Sequence, residues 1–135
     1  VPNQSSTCDI GRNHNCAKEF KLTKATKKLY IFVRTITWKN KYENSHIIVS
    51  LRKDNIEGEL IREEKISTDN IFDQSVYTLK LKNLDLTKGK YVISFTSDEE
   101  KQAIALATDH NQPGKRYIRD GNIIENDDLK ILIKK

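Results

Sequence analysis

The sequence predicts an all-β protein built as a single antiparallel β-sandwich. Three observations support this: short segments with apolar residues at every second position, turn residues between those segments, and a corner-like run at residues 84–95. Such segments number about nine, at the spacing that is typical of all-β sandwiches. We therefore expect a sandwich of the jelly-roll or Greek-key type.

The run at residues 84–95 is the strongest single signal. Leu84 and Leu86 are two positions apart, so both can face the same buried side, and Gly89 can take a positive φ at little cost. Apolar and polar residues then alternate, as in a half-buried strand. In many Greek-key sandwiches a tyrosine placed like Tyr91 bonds through its hydroxyl to the corner backbone. We expect that hydrogen bond here.

The other predicted strands follow in chain order. Residues 27–38 should form a central strand, because both of its faces carry apolar residues. Residues 60–67 have few apolar residues and should form an edge strand. Residues 76–81 are expected to pair with residues 90–96 around the corner. Further strands are predicted at residues 19–23, 46–53, 102–108, 115–119 and 129–133, with a hairpin-type turn at Asp120-Gly121-Asn122.

Length and charge limit the function classes. The 135 residues fit one domain, which we divide into an N-terminal strap at residues 1–16 and a sandwich at residues 17–135. The net charge of +5 permits anionic partners, but no nucleic-acid motif is present. No apolar run is long enough to span a bilayer, so we expect no membrane insertion.

The two cysteines, Cys8 and Cys16, favour a local disulfide-closed loop. Free thiols and a metal site remain alternatives, although a metal would need ligands beyond His14. A disulfide would place the protein in an oxidising compartment, and we expect it to be secreted or displayed at a cell surface.

Several segments resemble a known family when they are taken in order. They are Ala17-Lys18-Glu19-Phe20-Lys21-Leu22, residues 29–33, residues 48–51 with Asp54 and Gly58, residues 86–95, Pro113-Gly114 with Tyr117, and residues 128–131. Together they resemble the jelly-roll accessory domains of bacterial and phage proteins, over most of residues 17–135. The resemblance implies a non-catalytic module attached to a larger secreted or surface protein, and many members of that family bind glycans. No site residue is transferred from it.

Candidate ligand residues come from two loops. Trp38 is the only tryptophan, and with Asn40 and Tyr42 it could stack on a sugar and bond its hydroxyls, or it could instead cap the core. Asp109, Arg116 and Tyr117 flank a second loop with a similar mixture of donors and acceptors, which could equally be a solvated turn.

Catalysis is not expected. The three histidines show no spacing that suggests a triad, and no G-x-S-x-G motif occurs. No cofactor is expected, although calcium could bind Asp127 and Asp128 together with Asp109 or Asp120, where ordinary turn chemistry is the alternative. The sequence thus favours a glycan-binding module whose ligand is a glycan or another cell-surface molecule. A protein–protein adhesion or assembly domain and a structural spacer are the alternatives.

Overall fold

The computed structural model describes residues 7–37, 45–99 and 104–135, and it confirms the all-β fold class. Within these ranges there are twelve strands, one short 3₁₀ helix at Thr68–Asn70, and no α-helix. The strands are β1 (Thr7–Ile10), β2 (Cys16–Leu22), β3 (Leu29–Ile36), β4 (His46–Lys53), β5 (Leu60–Ser67), β6 (Ser75–Leu81), β7 (Gly89–Ser97), β8 (Ile104–Asp109), β9 (Arg116–Arg119), β10 (Asn122–Glu125), β11 (Asp128–Leu129) and β12 (Ile131–Lys134).

The strands form two antiparallel sheets packed face to face, as expected for a β-sandwich. The first sheet has the order β1-β8-β3-β12, with β6 also paired to β3 and β11 to β8. The second sheet has the order β10-β9-β2-β7-β4-β5. Strand β5 lies at the edge of the second sheet, as its polar sequence predicted.

The first eight strands pair in a nested way. Strand β4 pairs with β5, β3 with β6, β2 with β7, and β1 with β8. The chain is therefore a long hairpin folded back on itself and rolled into two sheets, which is the jelly-roll arrangement. The last four strands are additions: β9 and β10 extend the second sheet, and β11 and β12 lie between β8 and β3 in the first.

The core follows the predicted alternation. In β7 the side chains of Tyr91, Ile93 and Phe95 are at most 2% exposed and belong to the core between the sheets. In β3 the inward positions are residues 29, 31 and 33, so residues 30, 32 and 34 face outward. This parity decides which side chains of the central strands can meet a ligand.

The predicted pairing around the corner is wrong. Strand β6 pairs with β3 in the first sheet, whereas β7 pairs with β2 and β4 in the second. The corner thus carries the chain from one sheet to the other. Leu84 and Leu86 are 5% and 3% exposed, and they anchor this crossing in the core. Gly89 has the expected positive φ, at +154°.

Two further strands replace predicted loops. Residues 7–10, expected to be part of a loop, form β1, because Cys8 and Ile10 both point into the core and are fully buried. Residues 122–125 form β10, which pairs with β9 across a turn whose residues Asp120 and Gly121 both have positive φ. The last predicted strand is divided into β11 and β12. These three changes together give twelve strands in the described ranges, where about nine were expected.

The disulfide between Cys8 and Cys16 is present. It joins β1 of the first sheet to β2 of the second, with both cysteines fully buried. The segment expected to be a tethered strap is therefore cross-linked through the core itself.

Candidate functional site

The first predicted loop lies outside the described residues. Trp38, Asn40 and Tyr42 all fall in residues 38–44, so their assignment as ligand residues remains a prediction. The second loop lies within the described part of the chain, and the structure separates its three candidates.

Asp109 lies at the end of β8 on the outward face of the first sheet. Its carboxylate is half exposed and contacts the Lys130 ammonium group, with Oδ1 and Nζ 3.3 Å apart. It lines a groove on that face, described below, so this candidate residue is accessible to a ligand.

Arg116 belongs to the second sheet and is held by a carboxylate. Its Nη2 lies 2.9 Å from Oε1 of Glu19, while Nζ of Lys90 lies 2.8 Å from Oε2 of the same side chain. The hydrogen bond from Lys90, supported by Arg116 and opposed by burial, holds the pKa of Glu19 below its ordinary value. Arg116 lines a groove together with Glu19 and Lys90, whereas Asp109 lines a separate groove on the first sheet.

Tyr117 is a core residue and not a surface platform. It is 3% exposed, because its neighbour Ile118 pairs with Ala17 and takes the outward position. The Arg119 Nη2 donates to the Tyr117 hydroxyl oxygen at 3.0 Å. Burial raises the pKa of this phenol, and the nearby charges of Arg119 and Asp127 act in opposite directions. Tyr117, one of the predicted ligand residues, is therefore buried in the core, and its ring is not exposed on the surface of the described structure.

A groove of about 380 Å³ crosses the outward face of the first sheet. We call it the Phe32 groove. Residues from five neighbouring strands or their connections form its walls: Phe32, Arg34, Val76, Asp109, Asp128, Leu129, Lys130, Ile131 and Leu132. Strand pairing brings these side chains together, because Phe32 is the cross-strand partner of Leu132 in β12 and Arg34 is the partner of Val76 in β6.

The Phe32 groove combines an aromatic ring with charged groups. Lys134 lies over the Phe32 ring at 5.9 Å from its centroid, and Lys28 lies 5.4 Å from the centroid of the Tyr30 ring on the same face. Arg34 forms no hydrogen bond or ion pair with any residue in the described ranges, so its guanidinium is available. Sequence reasoning missed Phe32 and Arg34, although the alternation in β3 could have identified both as outward-facing.

Metal binding gains no support from the described residues, in which no group of three or more His, Cys, Asp or Glu side chains is placed to hold an ion. The four acidic residues considered for calcium each have a separate partner: Asp109 with Lys130, Asp120 with His14, Asp127 with His110, and Asp128 with Lys18. Each of these carboxylates therefore contacts a different basic side chain, although Asp109 and Asp128 are neighbours across the β8–β11 pair.

Three buried side-chain atoms have no hydrogen-bond partner among the described residues: Oγ1 of Thr108, Nε2 of His110 and Nε of Arg119. Thr108 and His110 are close in sequence on the inward face of β8 and its continuation, and Arg119 comes from β9 of the other sheet. Because a buried polar atom without a hydrogen-bond partner is costly, each of these three atoms lowers the stability of the fold.

No protein-family model and no curated protein matches this chain. No helix in the described ranges is long and apolar enough to cross a membrane.

Proposed function

We propose that this protein is a non-catalytic, extracellular glycan-binding module that holds its ligand in the Phe32 groove. The observation that supports this most is the combination of Phe32 with the guanidinium of Arg34, which has no partner among the described residues, on an open sheet face. An aromatic ring can pack against the apolar face of a sugar, and a guanidinium can donate to its hydroxyl groups. Asp109 adds a carboxylate acceptor at the side of the groove.

The cellular setting is part of the same proposal. The Cys8–Cys16 disulfide supports an oxidising environment and hence a secreted or surface-displayed protein. We also propose that the module belongs with the bacterial and phage jelly-roll accessory domains that its motifs resemble. The nested strand pairing supports this assignment, since it is the arrangement that the resemblance implies.

A glycan array with the wild type and Phe32→Ala tests the proposal. We expect wild-type binding to at least one glycan and a loss of about tenfold or more in affinity for Phe32→Ala, which corresponds to about 1.4 kcal/mol. Phe72→Ala is the matched control, because Phe72 is 55% exposed and does not line this groove. Equal loss in both variants would contradict the proposed site.

Trp38→Ala and Tyr42→Ala separate the two candidate locations on this chain. If these variants lose glycan binding while Phe32→Ala keeps it, the ligand binds at the loop of residues 38–44 and the Phe32 groove is not the site. If no glycan binds the wild type, the glycan proposal falls.

A protein-binding function is the second candidate, and one observation favours it. Val76 and Leu132, on either side of the Phe32 groove, are 58% and 53% exposed. Exposed apolar side chains beside an aromatic ring are typical of contact surfaces between proteins. Capture of a defined surface protein that is weakened by Leu132→Ser, without any glycan binding, would support this function over the first.

A further inference from the structure

A second groove, of about 350 Å³, lies on the outward face of the second sheet. We call it the Arg52 groove. Among the described residues its walls carry two arginines, several polar side chains and one isoleucine but no carboxylate; they are formed by Arg12, Asn15, Ser50, Arg52, Ile56, Ser94 and Thr96. It is separate from the Phe32 groove, which belongs to the other sheet.

The alternation of side chains along two strands places hydroxyl groups at the bottom of this groove. In β4 and β7 the large apolar side chains point into the core, so the outward positions carry Ser50, Ser94 and Thr96. Ser50 and Ser94 are direct cross-strand partners in the β4–β7 ladder. Neither serine hydroxyl makes a hydrogen bond to another described residue, so both can serve a ligand.

Arg12 is placed at the groove by a fixed turn. Gly11 and His14 exchange two backbone hydrogen bonds of 3.1 Å, which close the turn that carries Arg12. The hydroxyl of Thr96 donates to the carbonyl oxygens of Gly11 and His14, at 2.8 and 3.1 Å. These contacts fix the turn to the sheet, and Arg12 Nη2 contacts the carbonyl oxygen of Asp98 at 3.4 Å.

Arg52 is likewise anchored through a backbone group, because its Nη1 donates to the carbonyl oxygen of Gly58 at 3.0 Å. Neither Arg12 nor Arg52 has a carboxylate partner in the described part of the chain, whereas Arg62 and Arg116 are each paired with a glutamate. A guanidinium has five N–H donors, so each of the two groove arginines keeps several donors and its full charge.

The acidic groups near the groove do not line it. The Asp120 carboxylate accepts a hydrogen bond from the backbone N–H of Asn15 at 2.8 Å and lies 3.1 Å from the His14 ring. Glu63 is the cross-strand neighbour of Ser50 on the edge strand β5, but it is exposed and does not line the groove. The Asp98 carboxylate accepts hydrogen bonds from the backbone and ring nitrogens of His46, at 2.7 and 2.9 Å. Glu19, on the same face, is bound by Lys90 and Arg116. The groove is therefore cationic.

We propose that the Arg52 groove is an oxyanion site that binds a sulfate, phosphate or carboxylate group carried by a small polar ligand. Guanidinium groups form charge-assisted, often bidentate hydrogen bonds with such anions, and serine hydroxyls supply further donors. The site does not depend on the proposed glycan-binding function of the opposite face. If the ligand is a sugar, the second site would favour acidic sugars.

Titration followed by amide NMR spectra of the ¹⁵N-labelled protein tests the site. The probes are inorganic sulfate, inorganic phosphate, glucose 6-sulfate, glucose 6-phosphate and glucuronic acid, with glucose as the neutral control. We expect saturable shifts of the Ser50, Ser94 and Thr96 amides with at least one anion and none with glucose. The order of affinities among the probes identifies which anion the site prefers.

Three variants distinguish a built site from general attraction. We expect Arg52→Gln and Arg12→Gln each to weaken binding about tenfold or more. Lys65→Gln removes the same charge from the same sheet without lining the groove, and we expect little change. The spectra themselves report whether each variant is folded, and exposed Arg12 is the safer of the two substitutions.

The proposal is overturned if no probe saturates, or if Lys65→Gln weakens binding as much as the arginine variants do. Phe32→Ala should leave anion binding unchanged. If Phe32→Ala loses glycan binding and keeps anion binding, both proposals are supported. If the protein binds a glycan but no anion, only the Arg52 groove is rejected as a site. If it binds an anion but no glycan, only the proposal for the Phe32 groove is rejected.

Discussion

The phenol hydroxyl of Tyr91 donates a hydrogen bond to the carbonyl oxygen of Thr87 at 2.8 Å and accepts one from the Thr87 backbone N–H at 3.1 Å. This confirms the hydrogen bond expected from the corner sequence. The ring also packs against Phe20, with centroids 5.9 Å apart, so Tyr91 links the crossing between the sheets to the core. Tyr91 therefore fixes the corner in two ways: its hydroxyl bonds the backbone of Thr87, and its ring packs against Phe20.

Tyr91→Phe removes both hydrogen bonds and keeps the ring. We expect the free energy of unfolding to fall by about 1–2 kcal/mol, since each such bond contributes about 1 kcal/mol and the Thr87 amide can be hydrated. Urea denaturation measures the change. Tyr77→Phe is the control, because the Tyr77 hydroxyl makes no hydrogen bond to a described residue, and an equal loss there would contradict the role of the corner.

Replacement of both Cys8 and Cys16 by alanine opens the cross-link between the sheets. For a loop of this size the chain-entropy model gives a loss of about 2.5 kcal/mol in unfolding free energy. We also expect faster amide hydrogen exchange at Ile10, because β1 is short and pairs only with β8 among the described strands. A reducing agent should destabilise the wild type and leave the double variant unchanged, and the reverse result would rule out a stabilising bond.

The hydrogen bonds of Asp98 predict that the stability of the fold depends on pH in the acid range. Burial raises the pKa of this carboxyl, but the backbone and ring hydrogen bonds from His46 outweigh it and hold the pKa below its ordinary value. A carboxyl with a lowered folded pKa stabilises the fold above its unfolded pKa, about 3.9, and loses that contribution as the pH falls through the folded pKa.

We therefore expect Asp98→Asn to be less stable than the wild type at pH 7, with a difference that shrinks below about pH 4. Urea denaturation at pH 7, 4.5 and 3 measures it. Asp85→Asn is the control, because exposed Asp85 has no hydrogen bond or ion pair with a described residue. A difference for Asp98→Asn that stays constant from pH 7 to pH 3 would contradict the assignment.

We expect the replacement of threonine by valine to change the unfolding free energy in opposite directions at Thr108 and Thr35. Both are at most 4% exposed, but the Thr108 hydroxyl has no partner in the described chain, whereas the Thr35 hydroxyl donates to the Phe72 carbonyl oxygen at 3.0 Å. We expect Thr108→Val to raise the unfolding free energy by about 1 kcal/mol and Thr35→Val to lower it by a similar amount. Destabilisation by both would show that water bonds Thr108.

Strand faces could be predicted because a period of two needs only neighbouring residues. In the predicted strand at residues 46–53, Ile47, Val49 and Leu51 stand at every second position, and each is at most 2% exposed. Strand partners could not be read in this way. The corner looks the same locally whether the chain turns back in its own sheet or crosses to the other, and that choice depends on pairing with distant strands.

The candidate site was harder to predict for the same reason. Tyr117 lies between two arginines just after a loop in sequence, yet the pairing of Ile118 with Ala17 turns it into the core. Phe32 lies in an apolar strand that resembles a fully covered one, and its accessibility depends on which strands assemble beside it. Neither fact is encoded in a short window of sequence.

The nested pairing also sets an order of assembly. Leu51 and Arg62, in the innermost pair, are close in sequence, whereas Cys8 and Leu106, in the outermost pair, are almost the whole described chain apart. Because the entropy of loop closure grows with separation, we expect the β4–β5 hairpin to form early and the β1–β8 pair late. A topology dominated by distant contacts folds slowly, on a scale of about milliseconds to seconds. The β11–β12 segment, which separates β3 from β8 along part of their length, can settle only when both of those strands are already in place.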